Sequence, residues 1–336
     1  MTYAYLGPEG TFTQTALRRL LSAADPGADA EGEAADRNAA DRNAEHRNAA
    51  HRNAEHRDAA HRPFPSVPAA LEAARRGECD AAVVPLENSV RGVVPATMDQ
   101  LASAEMHINA EIEVPVTFAL MAPEGVALEE VTVVHSHPHA LGQCQDWLRD
   151  RLPGARTRTA ASTAAAARDV AGAGVVGHAA VAAAPAAELY GLRILATGLG
   201  REAGAVTRFV SVAPRWSHPA RTVRERTSLL VSLGTAGPAL VPDVLNEFRT
   251  FGIALSWIQS WPTGRALGSY HLFLDVDAHI DTRPLRQAMA AVGALGLEMR
   301  FMGSYPRWSA SVPAFVPALP ASASGESGRL SVVGVG

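Results

Sequence analysis

At 336 residues the chain has room for two ordinary domains with a sizeable core, and 47% hydrophobic against 19% charged residues describes a globular protein rather than a disordered one. A formal net charge of -4 with no basic stripe argues against nucleic acid and against an anionic membrane surface as partners. All 30 basic side chains are arginine, which excludes a lysine Schiff base and a phosphate-loop lysine.

The opening MTYAYLGPEG lacks a basic stretch followed by an apolar run, so no secretory signal is expected. The Ala-rich run from Ala160 to Ala187 is interrupted by Arg168, Asp169, His178 and Pro185 and is no bilayer span. Two cysteines, Cys79 and Cys144, make no disulfide framework and are expected as buried small residues, which places the chain in the cytoplasm.

In chain order, YAYLG predicts a short strand running into the turn Gly7-Pro8-Glu9-Gly10. A helix follows with Phe12, Ala16, Leu17, Leu20 and Leu21 on one face and Thr11 as its cap. A strand, a Gly-rich turn and a capped helix together present free N–H groups suited to an anion. From Ala34 to Arg62 a five-residue unit repeats, AADRN to AAHR. Five residues advance a helix by about 500°, so equivalent positions do not stack, and residues 30–62 are expected to be a low-complexity insertion. Its His46, His51, His56 and His61 offer no convergent metal pair.

Ser66-Val67-Pro68 starts a helix with Val67, Ala70, Leu71 and Ala74 inward. The buried strand Ala81 to Pro85 then ends in Leu86-Glu87-Asn88-Ser89, where open α/β sheets bind ligands. His135, His137 and His139 alternate as on one strand face, a minor case for a metal. Gly172, Gly174 and Gly177 match GxGxxG, but after a helical stretch and before a strand, the reverse of a dinucleotide fingerprint. Strands and helices alternate as far as Thr207-Arg208-Phe209-Val210, an α/β pattern with a cleft. Residues 213–226 read as a linker. A βαββαβ unit follows, with strands at Ser228–Leu233, Ile253–Ile258, Ser269–Val276 and Leu297–Met302 and helices at Ala239–Phe251 and Thr282–Val292. The tail from Ser309 has little periodicity and is expected to be disordered.

The segments Tyr5-Leu6-Gly7-Pro8-Glu9-Gly10-Thr11-Phe12-Thr13, Pro85-Leu86-Glu87-Asn88-Ser89, Ser136-His137-Pro138 with Gln143-Cys144, and Thr207-Arg208-Phe209 occur in this order. Together they resemble the prephenate dehydratase family, and the trailing βαββαβ unit resembles the ACT domain such enzymes carry. Each motif alone is weak; four in order carry the resemblance. It implies a two-lobed catalytic domain over 1–212 like the type II periplasmic binding proteins, and a ferredoxin-like ACT domain over 227–308, with the tail at 309–336. It also implies conversion of prephenate to phenylpyruvate with loss of CO2 and water, and no metal or cofactor. Aromatisation supplies the driving force, so the protein mainly orients the diene and helps the hydroxyl depart.

Carried over by motif, Thr207, Arg208, Phe209 and Glu87 are the catalytic set. Thr207 would assist the departing hydroxyl, and Arg208 would either face a substrate carboxylate or form a structural ion pair. Glu87 would orient its neighbours. Thr11, Asn88, Ser89, Ser136 and Gln143 would bind carboxylates or the ring hydroxyl; Thr11 taken alone is only a helix cap, and 87–89 only a turn. The family's ACT domain binds phenylalanine through Gly-Ala-Leu and Glu-Ser-Arg-Pro segments. Here Gly237-Pro238-Ala239-Leu240 puts a proline where a glycine is expected, and Gln259-Ser260-Trp261-Pro262 replaces an arginine with tryptophan. Weakened phenylalanine feedback is therefore expected, with the ACT domain kept for a homodimer or homotetramer. Competing readings are an arogenate dehydratase, a non-aromatising prephenate decarboxylase and, from another class, an amino-acid-sensing ligand-binding protein.

Overall fold

The computed structural model describes residues 1–23, 60–200, 204–217, 224–234 and 237–309. The first lobe holds β1 (Thr2–Leu6), α1 (Phe12–Ala23), β2 (Ala60–Phe64), α2 (Val67–Arg75), β3 (Ala81–Asn88), β4 (Gly92–Val93), α3 (Pro95–Ser103) and β5 (His107–Pro115). Strand alternation sorts its side chains into two layers. Tyr3, Tyr5, Val83, Ile112 and Val114 pack with Ala16, Leu17 and Leu20 of α1. Ala4, Ala82, Val84 and Leu86 pack with Val67, Ala70, Leu71 and Ala74 of α2 and with Met98 and Leu101 of α3. Helix α2 begins where Ser66 Oγ accepts from Ala69 N and Pro68 lies in the first turn, as the sequence predicts.

After β5 the chain crosses to a second lobe of β6 (Ala119–Ala122), β7 (Val133–Ser136), α4 (Pro138–Arg151), β8 (Arg156–Thr159), α5 (Thr163–Ala173), β9 (His178–Ala182), α6 (Pro185–Tyr190) and β10 (Arg193–Thr197). Its five strands run β10-β6-β9-β7-β8. The chain then returns as β11 (Val206–Ala213), antiparallel between β3 and β5. The two crossings lie side by side, with Val116 N donating to Ala205 O and Gly198 N to Phe118 O. Gly174 ends α5 in a left-handed conformation ahead of β9, so the GxGxxG match is a helix terminus.

The C-terminal unit comprises β12 (Glu225–Ser232), a 3-10 turn at Gly237–Leu240, α7 (Val241–Thr250), β13 (Leu255–Pro262), β14 (Tyr270–Val276), α8 (Arg283–Ala294) and β15 (Glu298–Ser309). Its strand order is β13-β14-β12-β15. One face carries Leu229, Val231, Leu272 and Leu274 against α7 and α8. The other lays Leu230, Phe273, Met302 and Tyr305 on the first lobe.

Several expectations are corrected. The last strand does not end at Met302; it runs to Ser309, and Arg307–Ser309 pair in parallel with Glu111–Glu113 of β5, which makes one ten-stranded sheet of the first lobe and the C-terminal unit. Ala60, His61 and Arg62, the end of the repeat, are strand β2, paired in parallel with Thr2, Tyr3 and Ala4. A parallel neighbour satisfied by β1 overrides the repeat's lack of an apolar stripe. His46, His51 and His56 lie outside the described residues. Glu87 and Asn88 are strand rather than turn, because β11 pairs with them. The linker is shorter than 213–226, since Ala213 closes β11 and Glu225 opens β12.

Candidate active site

Asn88 and Thr207 face each other at the ends of two antiparallel strands. Asn88 Oδ1 accepts from Val90 N at 3.1 Å and Arg91 N at 3.0 Å, so two backbone donors hold the carbonyl end of the amide. The NH2 end then points at Thr207, and Nδ2 donates to Oγ1 at 2.9 Å. Ser89 closes the same corner: its N–H donates to Val206 O at 2.9 Å, and its Oγ accepts from Val206 N at 3.0 Å. Thr207 is buried, and it is the second residue of the strand that returns from the other lobe.

The expected catalytic set divides between the two faces of β11. Phe209 points the same way as Thr207 and packs with Tyr5, Leu17 and Val114, so it supports the strand from beneath. Arg208 points the other way and does not join the Thr207 corner. Its guanidinium is buried, 2.6 Å from Glu111 Oε2 and 2.6 Å from Asp275 Oδ2. Burial alone lowers the pKa of Arg208, but Asp275 and Glu111 outweigh it and hold the group charged. Of the two roles weighed for Arg208, the ion pair is the one its contacts describe. Glu87 neighbours Arg208 and Val93 in the sheet and alternates away from Asn88; among the described residues it bonds neither Asn88 nor Thr207.

Thr11 acts as the cap of α1: Oγ1 accepts from Gln14 N at 3.3 Å and donates to Leu6 O at 3.1 Å. Gln14, just beyond the Tyr5–Thr13 motif, is buried and accepts from Gly10 N at 2.8 Å through Oε1. This turn is also where the lobes touch. Tyr190 Oη donates to Glu9 O at 2.8 Å, and Phe12 meets Phe118 edge-on with centroids 5.7 Å apart. Ser136 ends β7, is buried, and donates its hydroxyl to Val181 O at 2.6 Å. Gln143 is half-buried in the second turn of α4. The hydrogen bonds of Thr11 and Ser136 stay within their own lobes, at the first-lobe turn beside the crossings and at the C-terminal end of a second-lobe strand.

The three alternating histidines do not share a strand face, because β7 stops at Ser136. His137 precedes α4 and stacks on His139 at 5.2 Å, while His135 Nε2 lies 3.1 Å from His178 Nδ1. Among the described residues no group of three or more His, Cys, Asp or Glu side chains converges to hold a metal ion. Cys79 and Cys144 are both buried, and burial pushes the Cys144 thiol up to about 12.

In the C-terminal unit, Gly237 is buried at φ +59, and a Cβ there would stand 2.8 Å from Gly268 O. Pro238 and Ala239 are exposed beside it, and Leu240 is half-buried. Trp261 Nε1 donates to Asp99 Oδ1 of α3 at 3.0 Å, and Gln259 Nε2 donates to Ser260 O at 2.7 Å.

A model of the prephenate dehydratase family matches residues 42–216. A prephenate dehydratase from Amycolatopsis methanolica is 38% identical over 306 residues, which are 90% of this chain and 88% of that protein. One from Mycobacterium leprae (strain TN) is 36% identical over 331 residues, 97% of this chain and 93% of that protein. The crystal structure of a prephenate dehydratase from Arthrobacter aurescens, in complex with L-Phe, superposes with a TM-score of 0.74 at 34% identity, covering 91% of this chain and 90% of that one.

Proposed function

The chain belongs to the prephenate dehydratase family, and we propose that Thr207 is the group that assists departure of the ring hydroxyl, with Asn88 orienting it. The protein converts prephenate to phenylpyruvate in phenylalanine biosynthesis. The bond from the ring to its carboxylate breaks and CO2 leaves; the electron pair enters the ring, and the hydroxyl across the ring departs with a proton as water.

The observation that carries the role of Thr207 is the direction of one hydrogen bond. Because Asn88 Nδ2 donates to Oγ1, the threonine oxygen is an acceptor there and its own proton is free to point at substrate. A threonine is a weak acid, so its contribution is a donated hydrogen bond that strengthens as charge builds on the leaving oxygen, in a buried setting where such bonds count for more. Ser89 keeps its hydroxyl proton free in the same way. Ser136 and Thr11, whose hydroxyls are both donating to carbonyls, would accept from substrate or turn towards it on binding.

The two side-by-side crossings support a two-lobed fold of the type II periplasmic binding kind, with the substrate between the lobes. The order β13-β14-β12-β15 supports a ferredoxin-like ACT assignment for the C-terminal unit. Feedback by phenylalanine is weakened in this reading: Pro238 lacks an N–H, and the indole of Trp261 is tied to Asp99. The edge strand β13 exposes Ser256, Ile258 and Ser260, and pairing of such edges between copies would give a homodimer. The two buried free cysteines support a reducing cytoplasm.

The test is phenylpyruvate formation from prephenate by wild type and Thr207→Ala, with phenylalanine titrated in. Loss of turnover in the variant is expected, along with weak inhibition by phenylalanine. Retained turnover in Thr207→Ala overturns the role of Thr207, and strong inhibition at physiological phenylalanine overturns the feedback reading.

A further inference from the structure

Thr207 and Arg208 share a peptide unit, so whatever fixes Arg208 also limits where the threonine hydroxyl can point. On its β3 side the backbone ladder is irregular at this spot, while the β5 side pairs here in continuous register. The register of β11 with β3 shifts between Arg208 and Phe209, and Val206 is where the chain arrives from the other lobe.

Arg208 is instead fixed through its side chain, largely by the C-terminal unit. Besides Asp275 on β14, Arg208 Nη2 donates to Tyr305 Oη on β15 at 3.1 Å, and its guanidinium carbon lies 5.5 Å from the centre of the Trp257 ring on β13. Asp275 is itself locked: its Oδ1 accepts from Ser228 Oγ at 2.5 Å, and Ser228 Oγ lies 2.6 Å from Tyr305 Oη. Glu111, the other partner of Arg208, also receives Arg226 Nη1 at 2.9 Å and Arg307 Nε at 3.0 Å. Side-chain exposures of 7% for Arg208, 2% for Asp275 and 1% for Glu111 leave water little access to replace a lost partner. An arginine so placed has one orientation, and losing one carboxylate would let it turn towards the other.

We propose that Asp275, supplied by the C-terminal unit, is a positioning residue for the reaction: through Arg208 it sets the direction in which Thr207 presents its hydroxyl. The C-terminal unit thereby completes the catalytic geometry as well as being joined to it by strand pairing. This rests on the reading of Thr207 given above.

The experiment is steady-state kinetics on prephenate with the full chain, well below the Tm of each variant, comparing Asp275→Asn, Ser228→Ala, Ser66→Ala and Thr207→Ala. Asp275→Asn keeps the shape and removes the charge. It is expected to lower kcat by about tenfold or more with KM nearly unchanged, because misplacing a reacting group by a fraction of an ångström acts on the chemical step. Ser66→Ala, which removes a helix cap remote from this network, is expected to lower Tm and leave kcat in place. Wild-type kcat in folded Asp275→Asn overturns the proposal, as does a loss confined to KM. If Asp275→Asn does not fold, Ser228→Ala decides, since it frees the carboxylate without removing a charge: a severalfold fall in kcat supports the proposal and an unchanged kcat overturns it. Turnover lost in Thr207→Ala but intact in Asp275→Asn sinks the positioning role alone, whereas turnover intact in Thr207→Ala sinks the reading beneath it as well.

Discussion

Asn88 has one free direction for its amide, and that makes it more than a neighbour of Thr207. Two backbone N–H groups, of Val90 and Arg91, require an acceptor, so the side-chain oxygen is committed to them and the nitrogen to Thr207. Asn88→Asp, nearly identical in shape, puts an acceptor where a donor is needed. Both Asn88→Asp and Asn88→Ala should therefore lower kcat by about a hundredfold, the scale for losing one oriented donor in a buried site. Measured kcat for Asn88→Asp close to wild type would remove Asn88 from the mechanism. Phe209, two residues on, works through packing. Phe209→Ala opens a cavity between Tyr5, Leu17 and Val114 and should cost about 3–5 kcal/mol in urea unfolding. Thr207 and Asn88 are legible in the sequence as parts of short motifs. The direction of Arg208 is not, because a strand sequence says that neighbours alternate without saying which face meets the cleft.

At the scale of elements, β15 does most to explain how the halves are joined. It pairs with β12 along its length and then with β5 at its end, and Gly303 makes the passage possible. At φ +142 and hard against the backbone of Ile108, this position accepts no side chain without movement. Gly303→Val should lower Tm by several degrees and reduce turnover together, and an unchanged Tm would show that the strand can bypass this contact. Arg300 on the same strand donates to the carbonyls of Leu101 and Ala104 at the C-terminal end of α3, where a cation suits the helix dipole. Helix α2 is a local case: Ser66→Ala removes the acceptor for Ala69 N and should cost about 1 kcal/mol. That cap was legible from Ser66-Val67-Pro68 alone. The length of β15 was not, since Pro306 interrupts the strand signal and only pairing with β12 and then β5 carries the strand to Ser309.

At the scale of the whole molecule, five histidines on different elements respond to acid in the same direction. Burial first, and then a neighbouring cation or imidazole, lowers His61, His107, His135, His137 and His271 below their ordinary 6.5. The unfolded chain therefore takes up protons before the folded one does. The stability these groups contribute is complete above 6.5 and declines as pH falls through their lower folded values. Glu72, held down to about 2 by hydrogen bonds from Arg75 and Arg76, changes only below its ordinary 4.5 and adds nothing in that window. Tm should fall between about pH 7 and about pH 5, less steeply in His135→Asn, which removes one side of the contact with His178. A Tm that stays flat or rises on acidification would show that these sites bind protons at least as well in the folded state as in the unfolded chain.

The α/β class, the order of nearly all elements, the α2 cap and the family can be read along the chain, because they follow from local periodicity, capping chemistry and short motifs. What depends on the meeting of residues far apart in the chain emerges only on folding. Glu111, Arg208, Asp275 and Tyr305 come from four strands, and nothing near any one of them in the chain announces the others. A charge inside an apolar strand is costly unless another strand brings its partner, and only the assembled sheet shows which one does.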